Sequence, residues 1–271
     1  MITNTIFLLF TLAFLLMGID SIGAKRIRGF VQRLAKKQWA ENAERSEDWV
    51  FETQAEETFP GPVRQYLEKV DAWEHKPASV YKMRQKGAYR RRHNAFWQPV
   101  EAKFFCFPIL ASSVWYADIT PGLFFSVKAV LFFEKQLGKS WVYFFSVLSW
   151  KWKIQKQEAD FFMAWQLAAQ MWNPSIFQSR EWNWIETQDG LFLRGQIANQ
   201  NLEAQVFFNE EGLIAELRQP QWRMTFSEYR NIQGWKVPGT FSIQKNTVPD
   251  QTPIYQATIT DVAYEGTYRW W

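Results

Sequence analysis

The chain has 271 residues, enough for one large domain or two small ones, and carries 16 Trp, 9 Tyr and 24 Phe against 2 His and 1 Cys. Two imidazoles leave little material for acid–base or metal chemistry, and a lone cysteine excludes an intramolecular disulfide. The net charge of +4 is local, because Lys25, Arg26, Arg28, Arg33, Lys36 and Lys37 crowd into one acid-free segment while the rest is close to neutral; a nucleic-acid-binding body would carry that charge on its folded part, so no nucleic acid is expected as a partner.

Ile6 to Ile19 is an uninterrupted apolar run. It is shorter than the ~20 residues of a membrane-crossing helix, but extension to Ile2 and Ala24 reaches that length, with Asn4 and Asp20 near the ends. A signal peptide ending at Ala24 is the competing reading, although no Lys or Arg precedes the run. The basic flank follows the run instead, which by the positive-inside rule places the body on the cytoplasmic side. Ile27, Phe30, Val31 and Leu34 then recur at helical spacing, with Trp39 beyond and basic residues on the other faces. Such a helix is expected to lie among headgroups, its six cations binding anionic membrane lipid. Residues 41–57 turn acidic and read as a solvated helix or linker. Phe59-Pro60-Gly61-Pro62 is a break that starts a short helix through Val70. The expected organisation is an anchor over 1–24, a basic amphipathic helix and acidic linker over 25–58, and one domain over 59–271.

From Val80 the period becomes that of strands. Val80–Arg84, Val100–Phe107, Ser113–Ile119, Leu123–Gln136 and Trp141–Gln155 are rich in Val, Phe, Tyr and Trp and punctuated by Gly and Pro. A second series follows: Glu181–Thr187, Leu191–Ala198, Ala204–Asn209, Leu213–Arg218, Arg223–Tyr229, Thr240–Lys245 and Tyr255–Tyr264. Between them Glu158–Trp172 predicts a helix, ended by Asn173-Pro174. Its stripe Phe161, Trp165, Ala168 and Trp172 is extended by Phe162, Leu167, Ala169 and Met171, leaving only the polar line Gln166, Gln170 and Asn173. A helix apolar nearly all round must be enclosed. The predicted fold is therefore α+β: a strongly curved antiparallel half-barrel of about ten or more strands wrapping one central helix.

Catalytic motifs are absent: no His-Glu-x-x-His, paired cysteines, phosphate-cradling loop or Gly-x-Ser-x-Gly occurs. His75 and His93 read as solvated, and Cys106 as a buried, inert thiol. The Arg90-Arg91-Arg92 run reads either as a solvated turn or as a headgroup site. Glu101, Asp118, Glu158 and Asp160 are scattered without a spacing that pairs them. No catalytic residue, cofactor or metal is assigned.

The segments Phe59-Pro60-Gly61-Pro62, Trp97-Gln98-Pro99-Val100-Glu101-Ala102, Trp115-Tyr116-Ala117, Leu167-Ala168-Ala169-Gln170-Met171-Trp172-Asn173-Pro174, Val206 to Gly212 and Tyr229 to Pro238 occur in order. Together they resemble the uncharacterised bacterial DUF6544/DUF6920 type of protein, over roughly Phe59 to Tyr264. That resemblance carries no activity. It implies a layout similar to LolA/LolB-like lipoprotein-carrier half-barrels, in which a curved sheet encloses an apolar cavity. Where that family has an acid before its Ala-x-Trp step, this chain has Gln170, so no role is expected to rest on a carboxylate there.

The leading expectation is a membrane-tethered, non-enzymatic protein holding a lipid or another apolar ligand, lined by Trp97, Trp115, Trp150, Phe161, Trp165 and Trp172. One alternative is an enzyme acting on an apolar substrate through carboxylates such as Glu101 and Asp118 brought together in the cavity. The other is an aromatic-rich interaction module that docks a membrane partner.

Overall fold

A computed structural model describes residues 2–90, 95–122, 125–134, 137–144, 146, 148–153, 156–197, 200–246 and 253–264; of residues 2–17, 121–122, 125–126, 137, 149–153, 156–160, 162, 197 and 200 it describes the backbone alone. Helix α1 (Ile2–Ser46) leads through a 3-10 turn to α2 (Gly61–Lys69), where Pro62 takes the first turn, a position at which its missing N–H costs nothing. A meander follows: β1 (Tyr81–Tyr89), β2 (Gln98–Phe107), β3 (Ser112–Gly122), β4 (Phe125–Glu134), β5 (Leu137–Phe144) and β6 (Leu148–Lys153). Helix α3 (Lys156–Ala169) and two 3-10 segments, Gln170–Trp172 and Pro174–Gln178, lead to the second series. That series holds β7 (Trp182–Thr187), β8 (Gly190–Ile197), β9 (Gln200–Phe208), β10 (Ile214–Arg218), β11 (Trp222–Ser227), β12 (Arg230–Ile232), β13 (Trp235–Val237), β14 (Thr240–Lys245) and β15 (Tyr255–Tyr264).

Thirteen strands form one antiparallel sheet in the order β6-β5-β4-β3-β2-β1-β15-β14-β11-β10-β9-β8-β7. The sheet is open, with β6 and β7 at its two edges. The C-terminal strand β15 sits in the middle and joins the two meanders by pairing with β1 on one side and β14 on the other. The link from β6 to β7 therefore runs from one edge to the other, and α3 must cross a face of the sheet. Rings on α3 and the turn after it touch β2, β3, β11, β14 and β15. At ~4.8 Å per strand, a flat sheet from β3 to β11 would be about 24 Å wide, twice the ~10–12 Å diameter of a helix. One helix reaches all of them only because the sheet bends round it, as the α+β half-barrel reading requires.

The outer face has its own cover. Ile27, Val31 and Ala35 of α1 are buried against Phe105, Phe107, Val114, Tyr116, Val130 and Phe132 of β2 to β4, and Phe30 meets Trp141 edge-on at 5.2 Å. The apolar stripe expected among lipid headgroups is thus packed on the sheet instead. An apolar face gains as much from protein surface as from the acyl boundary, and the outer sheet face presents rings at matching positions. Two hydrogen bonds set the register of this contact: Ser146 Oγ donates to Asp20 Oδ1 at 2.6 Å, and Ser112 Oγ donates to Gln38 Oε1 at 2.6 Å. Gly23 makes the close approach possible, since a Cβ there would lie 2.3 Å from the Ser146 carbonyl oxygen. We expect Gly23→Leu to lift this end of α1 from the sheet. Hydrogen exchange should rise in β5 and β6 while β10 and β11 keep their protection; unchanged exchange in β5 and β6 would refute the docking.

Two local expectations are corrected. Trp141–Gln155, read as one strand, is the β5–β6 hairpin, whose turn uses Ser146 at φ 54. The run Phe144-Phe145-Ser146-Val147-Leu148 carries no Gly or Pro, so its turn leaves no local signature. The small β12–β13 hairpin, absent from the expected strands, turns through Gln233 and Gly234, both with positive φ.

Candidate functional site

The inner face of the sheet, where α3 lies, is made of rings. The Trp165 indole has Phe104, Trp115, Tyr255 and Phe241 at centroid distances of 5.8, 6.2, 5.4 and 5.2 Å. Half a helix further on, Trp172 meets Phe241 at 5.0 Å and Phe226 at 6.2 Å, and its Nε1 donates to the Pro238 carbonyl at 2.9 Å. Phe161, one turn before Trp165, packs against Trp222 of β11 at 5.2 Å. Alternation along β2, β3, β14 and β15 supplies this face, because residues two apart point to the same side.

A single polar side chain of β1 is set into this wall. Gln85 is 2 % exposed, and its Oε1 accepts from Tyr255 OH at 2.9 Å and from Trp115 Nε1 at 3.4 Å. Burial pushes the Tyr255 phenol well above its ordinary range, so it stays a donor. The Nε2 of Gln85 and the indole N–H groups of Trp165 and Trp222 are buried without a protein acceptor. The polar line of α3 is satisfied: Gln166 Nε2 donates to Ser113 Oγ, and Gln170 Nε2 donates to the Gln166 carbonyl at 3.1 Å. Among the described residues the inner face is therefore apolar and ring-lined, with buried donors at Gln85, Trp165 and Trp222 that no protein group accepts.

Of the expected lining, Trp115, Phe161, Trp165 and Trp172 come together on the inner face. Trp150 belongs to β6 opposite Val142, and its side chain lies outside the described residues. Trp97 is placed elsewhere, in the loop before β2, 37 % exposed with the Arg90 guanidinium 4.5 Å over its ring. Gln85 and Tyr255 escaped the sequence reading; the only available sign was a lone glutamine at an inward position of an alternating strand. Lys25, Arg26, Arg28, Arg33, Lys36 and Lys37 are all exposed on α1. Arg91, Arg92 and His93 lie outside the described residues. His75 is half-buried rather than solvated, with its ring edge-on to Trp235 at 5.5 Å. Cys106 is buried, and burial pushes its thiol up to about 12, as an inert core cysteine requires.

The fold does bring Glu101 and Asp118 together, as directly opposed residues of β2 and β3, but on the outer face. Each is held by a cation: Lys86 Nζ lies 3.1 Å from Glu101, and the buried Lys128 Nζ lies 2.5 Å from Asp118. Glu101 and Asp118 therefore supply no carboxylate to the interior, and the side chains of Glu158 and Asp160 lie outside the described residues. Buried charges among the described residues are Arg90, Lys128 and Glu216. Glu216 faces Thr225 across the β10–β11 pair and is clamped by Arg218 and Arg223. Two grooves of about 310 and 350 Å³ also lie on the outer face, lined by Lys86, Gly87 and Ser, Thr and Gln side chains or by Glu101 and Asp118.

These features define an open antiparallel half-barrel folded round one apolar helix, with an aromatic interior and Glu101 and Asp118 on the outer face. The chain belongs to the DUF6920 family, a family of unknown function whose pattern matches residues 57–264. Among solved structures it is similar to a DUF1329 family protein from Desulfovibrio piger, at 10% identity and a TM-score of 0.43, over 78% of this chain and 96% of that one. It is also similar to an outer membrane lipoprotein-sorting protein domain from Vibrio parahaemolyticus, at 7% identity and TM-score 0.38, over 79% and 95% of the two chains. A LolA superfamily protein from Nitrosomonas europaea matches at 12% identity and TM-score 0.36, over 75% and 94%. No curated protein matches the chain.

Proposed function

We propose that the protein is a membrane-tethered, non-enzymatic binding protein whose half-barrel interior takes a lipid or another apolar ligand. The observation that carries this reading is the ring-lined inner face with buried donors and no acceptors to match them, at Gln85 Nε2, Trp165 Nε1 and Trp222 Nε1. Orphaned buried donors cost about 1–3 kcal/mol each, and an ester or acyl carbonyl would satisfy them. Each methylene buried beside the rings adds about 0.8 kcal/mol, so a medium-length alkyl chain supplies on the order of 10 kcal/mol before entropic costs. The tether in this reading is residues 1–24, and the basic flank that follows supports a body on the cytoplasmic side. Among the described residues that were searched, no helix is long and apolar enough to cross a membrane; side chains 2–17 fall outside them.

The test is native mass spectrometry and lipid extraction of the full chain. A shorter chain starting at Trp39 would uncover Phe105, Phe107, Val114 and Val130 and is unsuitable. The expected result is a stoichiometric apolar cargo. Trp165→Phe should halve its occupancy or more, since it removes an N–H that no protein group accepts while nearly conserving shape. The depth at which Trp165 and Trp172 are buried, 7 % and 1 % exposed, favours a second reading as an interaction module. A clean apo mass, with no uptake of offered lipid, would decide for that reading.

A further inference from the structure

Register partners run straight across the first meander. Gly87, Val100, Ile119, Val127, Phe144 and Leu148 form one row from β1 to β6. The chain beyond this row, at the β1–β2, β3–β4 and β5–β6 connections, therefore leaves the sheet at the same end. That end is where large apolar side chains face solvent. Phe96 is 94 % exposed, Leu148 68 %, Phe144 46 % and Trp97 37 %, and beside the β5–β6 tip Ile22 and Ile19 of α1 are 62 % and 39 % exposed. The one other large hydrophobic exposed among the described residues, Val50, follows the opposite end of α1. Soluble surfaces scatter such residues; here they share one rim.

The level of the rim is set by α1. The helix is continuous from Ile2 to Ser46, so the apolar run Ile6–Ile19 and the sheet-docked segment share one axis. Asp20 bonds the tip residue Ser146, and Gly23 packs against it. The tip is thus fixed beside the first residues after the apolar run. Lys25 and Arg26 are exposed one turn further along, at the height of lipid phosphates when the run is in hydrocarbon.

We propose that this end of the half-barrel is a docking site for an anionic lipid surface, with Phe144, Leu148, Ile22 and the Phe96–Trp97 step seated at the boundary between headgroups and acyl chains. The proposal rests on the tether reading and adds an orientation to it. The body does not swing on a linker: its open end and the edge strand β6 are held at the bilayer, where an apolar ligand enters without crossing water.

The full chain is reconstituted into vesicles of phosphatidylcholine with about a third phosphatidylglycerol, a composition that supplies anionic headgroups. An environment-sensitive fluorophore is attached at Leu148→Cys, at Phe96→Cys, or at Val50→Cys as the distal control, about 36 Å of helix from Ile22. Native Cys106 is buried and does not compete for label. The expected result is a blue shift and several-fold quenching by lipid spin-labelled near the headgroup at positions 148 and 96, with neither at 50. All three sites are exposed, so unchanged thermal melting confirms that the variants fold. Vesicles that carry the protein but leave position 148 unquenched overturn the docking while the tether stands. Protein that fails to float with vesicles overturns both.

Discussion

Asn173→Leu is expected to lower unfolding free energy by about 4 kcal/mol, a large share of the 5–15 kcal/mol typical of a domain. Asn173 is fully buried at the end of the helix motif and reads both polar groups of one residue: its Oδ1 accepts from Ala78 N–H at 2.9 Å, and its Nδ2 donates to the Ala78 carbonyl at 3.0 Å. Leucine occupies a similar volume but strands a buried donor and a buried acceptor, each costing about 1–3 kcal/mol. Ser175→Ala is the internal control. Its hydroxyl donates to the Ala72 carbonyl at 3.0 Å, but Gln178 Nε2 donates to the same oxygen, so the loss should stay near 1 kcal/mol. Urea unfolding of the two variants makes the comparison; equal losses would mean that the Asn173 bridge does not anchor the chain entering β1.

Trp172→Ala should cost about 3–5 kcal/mol and lower Tm by about 10 °C. The side chain is 1 % exposed between Phe226 and Phe241, and its removal also leaves the Pro238 carbonyl without its donor. Trp172→Phe keeps a ring in place and should lose about half as much. A melting temperature within a degree or two of the parent for Trp172→Ala would mean that the turn after α3 collapses freely, contrary to its packing. A double change of Trp165 and Trp172 to Ala would therefore read stability first, and Trp165→Phe is the cleaner probe of ligand binding.

Most strands were legible because strand signals are local. Alternation and Gly or Pro punctuation placed β7, β8, β10, β11, β14 and β15 within a residue or two of their ends, since β-type rings and turn residues act through their own backbone, while β9 starts four residues before the expected Ala204. The enclosed helix was legible for a related reason: a stripe of Phe161, Trp165, Ala168 and Trp172 with apolar flanks has no stable solvated form. Ser146 shows the limit. Nothing in its neighbours distinguishes a turn from a continuing strand, and its left-handed φ is held by Asp20, more than a hundred residues earlier.

The residues of the inner face divide in the same way. That Trp115, Phe161, Trp165 and Trp172 share this face was legible because large rings on alternating or helical positions have few places to go. Gln85 was not, because its role depends on Tyr255 and Trp115 arriving from β15 and β3. Glu101 and Asp118 did meet, but strand alternation with a known inward side was needed to put them outside.

Sequence alone determined the antiparallel half-barrel, the apolar central helix, the concentration of positive charge on one short segment and the family. These follow from periodicity, composition and charge, which act over a few residues. Tertiary structure decided what covers the outer face of the sheet. Ile27, Val31 and Ala35 form an apolar stripe that lipid or protein would satisfy equally, because the hydrophobic effect is not directional. The choice was made by partners distant in sequence: the rings of β2 to β4, the Gly23 approach, and the hydroxyls of Ser112 and Ser146.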